Sequence, residues 1–197
     1  MGRNKALLPL VDGGPPLLEM VLNRLRDVAT EVFLVANDPA PYARFGVRTI
    51  PDLEPGRGAL GGIRAAIAAS TYDHCLVVAC DMPFLNADLL RRMADEPRDY
   101  DVLVPRLPGE SRQGRGQVFQ TLHAIYGKGC GDAIARRISA GDRRVIGFYD
   151  DVRVRTLDET EVRKWDPKLR SFYNANTPEA LAQAALVIAE VERKPRR

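Results

Sequence analysis

Gly56-Arg57-Gly58-Ala59-Leu60-Gly61 has the spacing G-x-G-x-x-G, and Asp81 follows it after another strand-like run. In dinucleotide-binding folds such glycines let the backbone approach a pyrophosphate, and a later carboxylate binds a ribose hydroxyl. The surroundings argue against that chemistry here, and against a dehydrogenase. The first glycine should follow a strand directly, so that the pyrophosphate meets a helix N-terminus, whereas Pro51-Asp52-Leu53-Glu54-Pro55 intervenes. A better candidate set is Asn37, Asp52 and Asp81. Each lies at or just past the end of an apolar run, and in α/β sheets ligands bind outside the carboxyl ends of the strands. A turn or a helix cap is the structural alternative for each. Cys75, Cys80 and Cys130 show no metal-ligand spacing and read as the reduced thiols of a cytoplasmic protein. His74 and His123 fall on predicted strands and read as packing residues. No Ser/His or Cys/His pattern suggests a nucleophilic side chain.

The elements that must carry these residues follow from apolar periodicity. Leu17, Leu18, Val21, Leu22, Leu25 and Val28 recur at helical spacing after Pro15-Pro16. Glu31 to Asn37 predicts a strand buried on both faces, and Val47 to Ile50 a shorter one. Leu60 to Ala69 predicts a helix. His74 to Asp81 predicts a central strand ending on a carboxylate, and Asp101 to Val104 another strand. Asn86 caps a helix running to about Met93; further helices are expected over 132–139 and 177–191, the last with Thr177 at its N-cap and Pro178 at N1. Pro105 to Gly116 looks like a long mobile loop. Strands that are continuous apolar runs, alternating with helices, predict a three-layer α/β/α, Rossmann-like domain with a mostly parallel sheet.

The composition sets the outer limits. A chain of 197 residues with 45% hydrophobic and 28% charged residues predicts one globular domain over 1–192, followed by a basic tail over 193–197 that is disordered by composition. The net charge of +3, much of it in that tail, provides no concentrated basic face for nucleic acid. No apolar run is long enough for a membrane span.

Four segments taken together resemble the molybdenum cofactor guanylyltransferase (MobA) family. They are Met1-Gly2-Arg3-Asn4-Lys5 with the following Ala-Leu-Leu-Pro-Leu, Asp52 with Pro55 to Ile63, Ala79-Cys80-Asp81-Met82-Pro83-Phe84, and Asn174-Ala175-Asn176-Thr177-Pro178-Glu179. Gly141 to Val145, ahead of a predicted strand, is also similar to the family. The resemblance spans nearly the whole chain, and the Asn174 to Glu179 segment is its most discriminating part, since CTP-using relatives carry aspartates there. It implies transfer of GMP from GTP to the phosphate of molybdopterin, with release of pyrophosphate. By the same resemblance Lys5 would contact the GTP phosphates and Asn37 and Asp52 the nucleoside. Asp81 would hold Mg²⁺, and Asn174 and Asn176 would face the pterin. The residue types suit this: in-line phosphoryl transfer depends on positioning and charge neutralisation, and Mg²⁺ needs only one or two carboxylates beside phosphate oxygens. Hand-over of the product to a molybdoenzyme or its chaperone is implied by the family alone.

The chain also departs from the family. Members carry a strand and a glycine-rich loop ahead of the segment that begins here at Met1, and a sheet without that strand would expose two edges. Two expectations follow: Met1 is an internal methionine of a longer, active enzyme, or the chain is a truncated, non-catalytic paralogue that binds a partner through the exposed edge. The first expectation predicts an active transferase once the preceding segment is present, and the second predicts no guanylyl transfer. A CTP-dependent or sugar-phosphate nucleotidyltransferase of the same fold is the remaining alternative.

Overall fold

The computed structural model describes residues 4–111 and 114–192. The basic tail expected over 193–197 lies outside these residues. Helix α1, Leu17–Arg26, forms where the apolar stripe predicts it and buries Leu17, Leu18, Val21 and Leu22. The next elements are β1 (Phe33–Val35), β2 (Arg48–Ile50), α2 (Ala59–Ala69) and β3 (His74–Val78). Helix α3, Ala87–Asp95, starts as anticipated on Asn86, whose side-chain oxygen accepts from the amides of Asp88 (2.9 Å) and Leu89 (3.0 Å). Then come β4 (Val102–Ser111), β5 (Gly114–Phe119), β6 (His123–Gly127), α4 (Cys130–Ser139), β7 (Val154–Leu157), α5 (Glu159–Arg163) and α6 (Pro178–Glu192). Thr177 caps α6, its hydroxyl accepting from the Ala180 amide at 3.1 Å.

These strands form two sheets. β1 and β2 make a parallel pair, while the larger sheet has the order β3-β6-β4-β5 with β7 paired to β4. Helices cover both faces of the larger sheet. Val102 and Val104 of β4 and Ala124 and Tyr126 of β6 point to α2 and α4, whereas Leu103 and Ile125 point to α3 and α5. This is the period-two alternation of strands inside a three-layer α/β domain. Pairing direction differs in detail from the expectation: β6 runs antiparallel to both neighbours, and the parallel ladders are β1–β2 and β4–β7.

Three further departures have local causes. The segment expected as a mobile loop from Pro105 is instead the end of β4 and the start of a hairpin, with Arg106 opposite Phe119 and Gly109 opposite Gly116. Its prolines and glycines suggested a loop, yet they are tolerated in a peripheral hairpin whose outer strand lies at a sheet edge. The strand expected after Gly141 to Val145 does not follow directly: a 3₁₀ turn over Val145–Asp151, which buries Phe148 and Tyr149, comes before β7. The third departure concerns β3. Expected in the centre of a sheet, it is the edge of the larger one, with β6 its only partner among the described residues and all five of its residues half-buried. β1 is likewise paired only to β2. A cavity of about 820 Å³ separates the two edges.

Candidate active site

The expected site residues fall into two groups, and of them Asp81 lines the cavity. The first group is built on β3 and the segment leading into α6. Asp81 follows β3 by three residues, and its backbone carbonyl accepts from the Ala175 amide at 2.8 Å. That bond fastens Asn174-Ala175-Asn176 to the strand exit, with Ala175 fully buried beneath it. Asn174 is partly buried, its amide donating to the Phe172 carbonyl at 3.3 Å, while Asn176 is exposed. Lys5, in the 3₁₀ turn Lys5–Leu7, donates from its ammonium to the Asn176 carbonyl. Residues far apart in sequence, Lys5, Asp81, Asn174 and Asn176, thus meet through one chain of contacts.

The second group is built on β1, β2 and α2. Asn37, two residues past β1, accepts from the Asp52 amide at 2.9 Å. Asp52 accepts from the Glu54 amide at 3.0 Å, so the turn anticipated as its alternative role is present. The same carboxylate lies against the first turn of α2. A Cβ on Gly61 would stand 2.9 Å and 3.0 Å from its two oxygens, so only glycine allows this approach. Gly58, at φ +63°, supplies the left-handed residue from which α2 starts, with no side-chain cap on its first amides. The glycine pattern is therefore accounted for by the turn and by the packing of Asp52, and a dinucleotide fingerprint is not needed to explain it. Glu54 pairs with Arg64 at 2.6 Å and braces the loop.

The residues lining the cavity include Val35 at the end of β1, Ala59 and Gly62 in the first turn of α2, and Cys80 and Asp81 after β3. The Asp81 carboxylate accepts no side-chain or backbone hydrogen bond among the described residues, and those residues hold no cluster of three or more His, Cys, Asp or Glu suited to a metal. A single carboxylate fits a hard divalent cation that takes its remaining oxygens from water and phosphate. Lys5 adds a point positive charge with two further N–H donors, and the uncapped start of α2 adds the positive end of a helix dipole. The thiols of Cys75 and Cys130 are each pushed up to about 12, chiefly by burial, so neither is a thiolate nucleophile. His123 is fully buried against Phe172, the two tilted rings 4.5 Å apart between centroids, and burial pushes it down to about 4. His74 meets the Tyr100 carbonyl at 3.3 Å. Both histidines are packing residues, as expected.

The backbone tie between Asp81 and Ala175 and the Lys5 contact to Asn176 had no signature in the sequence. The close approach of Gly61 to Asp52 was signalled only indirectly, by glycines ahead of a helix.

A carboxylate at the exit of β3, with a lysine ammonium tied to the segment fastened beside it, stands in an α/β domain of the nucleotidyltransferase class. The chain belongs to the MobA-like NTP transferase domain family, whose family model matches residues 1–154. A protein of Pelotomaculum thermopropionicum named "Probable molybdenum cofactor guanylyltransferase" is 39% identical over 196 residues, covering 100% of this chain and 90% of that one. The crystal structure of molybdopterin-guanine dinucleotide biosynthesis protein A from Archaeoglobus fulgidus superposes with a TM-score of 0.77 at 27% identity, covering 96% and 92% of the two chains. The 2-C-methyl-D-erythritol 4-phosphate cytidylyltransferase of Thermus thermophilus shares the fold, with a TM-score of 0.67 at 19% identity and 94% coverage of each chain. No described helix is long and apolar enough to cross a membrane.

Proposed function

We propose that this protein is a molybdenum cofactor guanylyltransferase, moving GMP from GTP to the phosphate of molybdopterin. An oxygen of the pterin phosphate bonds to the α-phosphorus of GTP as the bond to the bridging oxygen breaks, and pyrophosphate leaves. The observation that carries this reading is the fastening of Asn174-Ala175-Asn176 to the backbone carbonyl of Asp81, which holds a polar segment beside the exit of β3. Members of this nucleotidyltransferase family generally use a divalent metal, and Mg²⁺ is the proposed one here.

In this reading Asp81 holds the cation, its carboxylate being free of competing hydrogen bonds. The cation would neutralise charge on the phosphates during transfer. Lys5 meets the phosphates, and its bond to the Asn176 carbonyl keeps the ammonium beside the pterin-side segment. Asn37 and Asp52 hold the nucleoside from the α2 side, with Asn37 fixing the Asp52 backbone. Asn174 and Asn176 present amides to the pterin. The product's acceptor, a molybdoenzyme or its chaperone, follows from the same family membership.

The test is pyrophosphate release and guanine dinucleotide formation by the purified chain with molybdopterin and Mg²⁺, run separately with GTP and CTP. GTP-dependent turnover should fall about a hundredfold or more in Asp81→Ala, the order expected when a group stabilising developing charge is removed. Equal transfer from CTP, or no transfer from either nucleotide, would refute the assignment. A GTP-specific rise in Tm, absent in Asp81→Ala, reads out binding independently of turnover.

A further inference from the structure

We propose that Ser171, gripped by Asp166, is a positioning residue: it fixes where Asn174 and Asn176 stand, and so sets affinity for the pterin, a role that rests on the guanylyltransferase reading. Asn174-Ala175-Asn176 is held to the exit of β3 by one backbone bond, from the Ala175 amide to the Asp81 carbonyl. A segment tied at a single point can pivot about it. The second tie comes earlier in the chain, where the Asn86 amide donates to Ser171 Oγ at 2.7 Å.

Between these ties the chain runs beside the segment that leads from β3 into α3. Asn86 meets Ser171, the Phe84 and Tyr173 rings lie 5.8 Å apart between centroids, and Asp81 meets Ala175. Position falls along one segment as it rises along the other, so the two run antiparallel. Asn174 lies between the last two of these contacts. Its side-chain amide donates to the Phe172 carbonyl, one residue past Ser171. Displacing Ser171 therefore displaces the group that orients Asn174.

Ser171 is itself fixed from the other side. Its amide donates to Asp166 Oδ2 at 2.8 Å, and the Asn86 side-chain amide donates to the Trp165 carbonyl at 3.0 Å. Asp166 is 4% exposed and Ser171 not at all. Burying a carboxylate and a hydroxyl is unfavourable unless both are bonded, and apolar residues would fill the same space without that cost. Leu169, at φ +53°, is the only non-glycine residue with a left-handed backbone among the described residues, and it precedes the 3₁₀ turn Arg170–Phe172. That conformation is unfavourable for leucine and persists where the surroundings over-determine it. Two buried polar groups and a strained leucine thus stand together over 166–171, ahead of the two asparagines. Asn37 and Asp52 share no hydrogen bond with this stretch among the described residues, so the nucleoside side should not register its loss.

The test compares Ser171→Ala, Asp166→Ala and Asp166→Asn with the wild-type chain. Binding of molybdopterin, kept anaerobic, and of GTP with Mg²⁺ is measured by calorimetry, each without the other. Ser171→Ala and Asp166→Ala should weaken molybdopterin about fivefold or more, the order of one lost hydrogen bond, and leave GTP unchanged. Asp166→Asn keeps an oxygen for the Ser171 amide and should retain wild-type affinity. Equal weakening of both substrates, unchanged molybdopterin affinity in Ser171→Ala, or an Asp166→Asn as weak as Asp166→Ala overturns the role. Hydrogen exchange supplies a readout without either substrate. In Ser171→Ala the Ala175 amide should exchange faster while the amides of β4 and β6 keep their rates. Faster exchange everywhere would mark a general loss of stability, and an unchanged Ala175 amide would show the segment fixed without Ser171; either result overturns the role. A wild-type chain that binds molybdopterin but transfers no GMP refutes the guanylyltransferase reading and leaves Ser171 to be judged on the affinities. One that binds no molybdopterin refutes the pterin half, and exchange at Ala175 then decides whether Ser171 positions the segment.

Discussion

The β4–β6 ladder and the β1–β2 pair are both short apolar strands, and they end up in different surroundings. Val102, Leu103 and Val104 of β4 have no exposure, and β6 is buried at every residue. Phe33, Leu34 and Val35 of β1 are half-buried, as is all of β3. The composition of the strands does not account for this. β4 has a partner on both edges and helices on both faces, whereas among the described residues β1 and β3 each pair on one edge. Burial of a strand is thus set by the neighbours it finds.

The largest effect should come from trimming the two regions in parallel. Leu103→Ala removes side-chain packing at a position with no exposure, and should cost about 2–5 kcal/mol in chemical denaturation. Leu34→Ala, on the half-buried β1, should cost less than half as much. Equal losses would mean that β1 is as tightly enclosed in solution as β4.

A similar contrast appears in pH dependence. His123, at the start of β6, has a folded pKa of about 4 against an ordinary 6.5, because burial beside Phe172 outweighs the nearby Asp166 charge. Between these values the unfolded chain binds more protons than the folded one, so stability rises with pH through this window. It should be complete above about pH 6.5 and fall by of order 3 kcal/mol as pH drops to 4. Denaturation midpoints measured across that range should flatten in His123→Leu. A wild-type midpoint that does not change over this window would rule out a buried neutral His123.

Adjacent glycines on α2 sharpen the comparison near Asp52. Gly61→Ala places a methyl against both Asp52 oxygens and should destabilise by about 1–3 kcal/mol. Gly62→Ala faces open space and should be neutral or stabilising by up to about 1 kcal/mol. If both behave alike under thermal denaturation, Asp52 does not rest against α2. The smallest effect is Thr177→Ala, which removes the α6 cap and should lower stability by about 1 kcal/mol, visible as increased amide exchange in the first turn of α6.

Much of the fold was legible locally. The stripe of α1, the Asn86 and Thr177 caps and the apolar runs of β1 and β3 each follow from residues next to one another in the chain. Other parts were obscured by competing signals. Pro108, Gly109, Gly114 and Gly116 looked like a loop but pair as a hairpin, because an edge tolerates what a central strand does not. Helix α5 was overlooked although Asp158 and Glu161 form a capping box at its start. The site was legible as residue types at strand exits, while its assembly was not: nothing near Asp81 in the sequence points to Ala175.

The sequence by itself determined the α/β class, the caps, and Asn37, Asp52 and Asp81 as candidates at strand exits, because helix period and strand period are properties of neighbouring residues; Lys5, Asn174 and Asn176 were implied by the family resemblance. Only the tertiary structure decided that Lys5 and Asn176 meet beside Asp81, that Gly61 must yield to Asp52, and that β3 stands at an edge facing β1 across the cavity. Those outcomes depend on how elements far apart in the chain pack, and on which hydrogen-bonding edges find a partner.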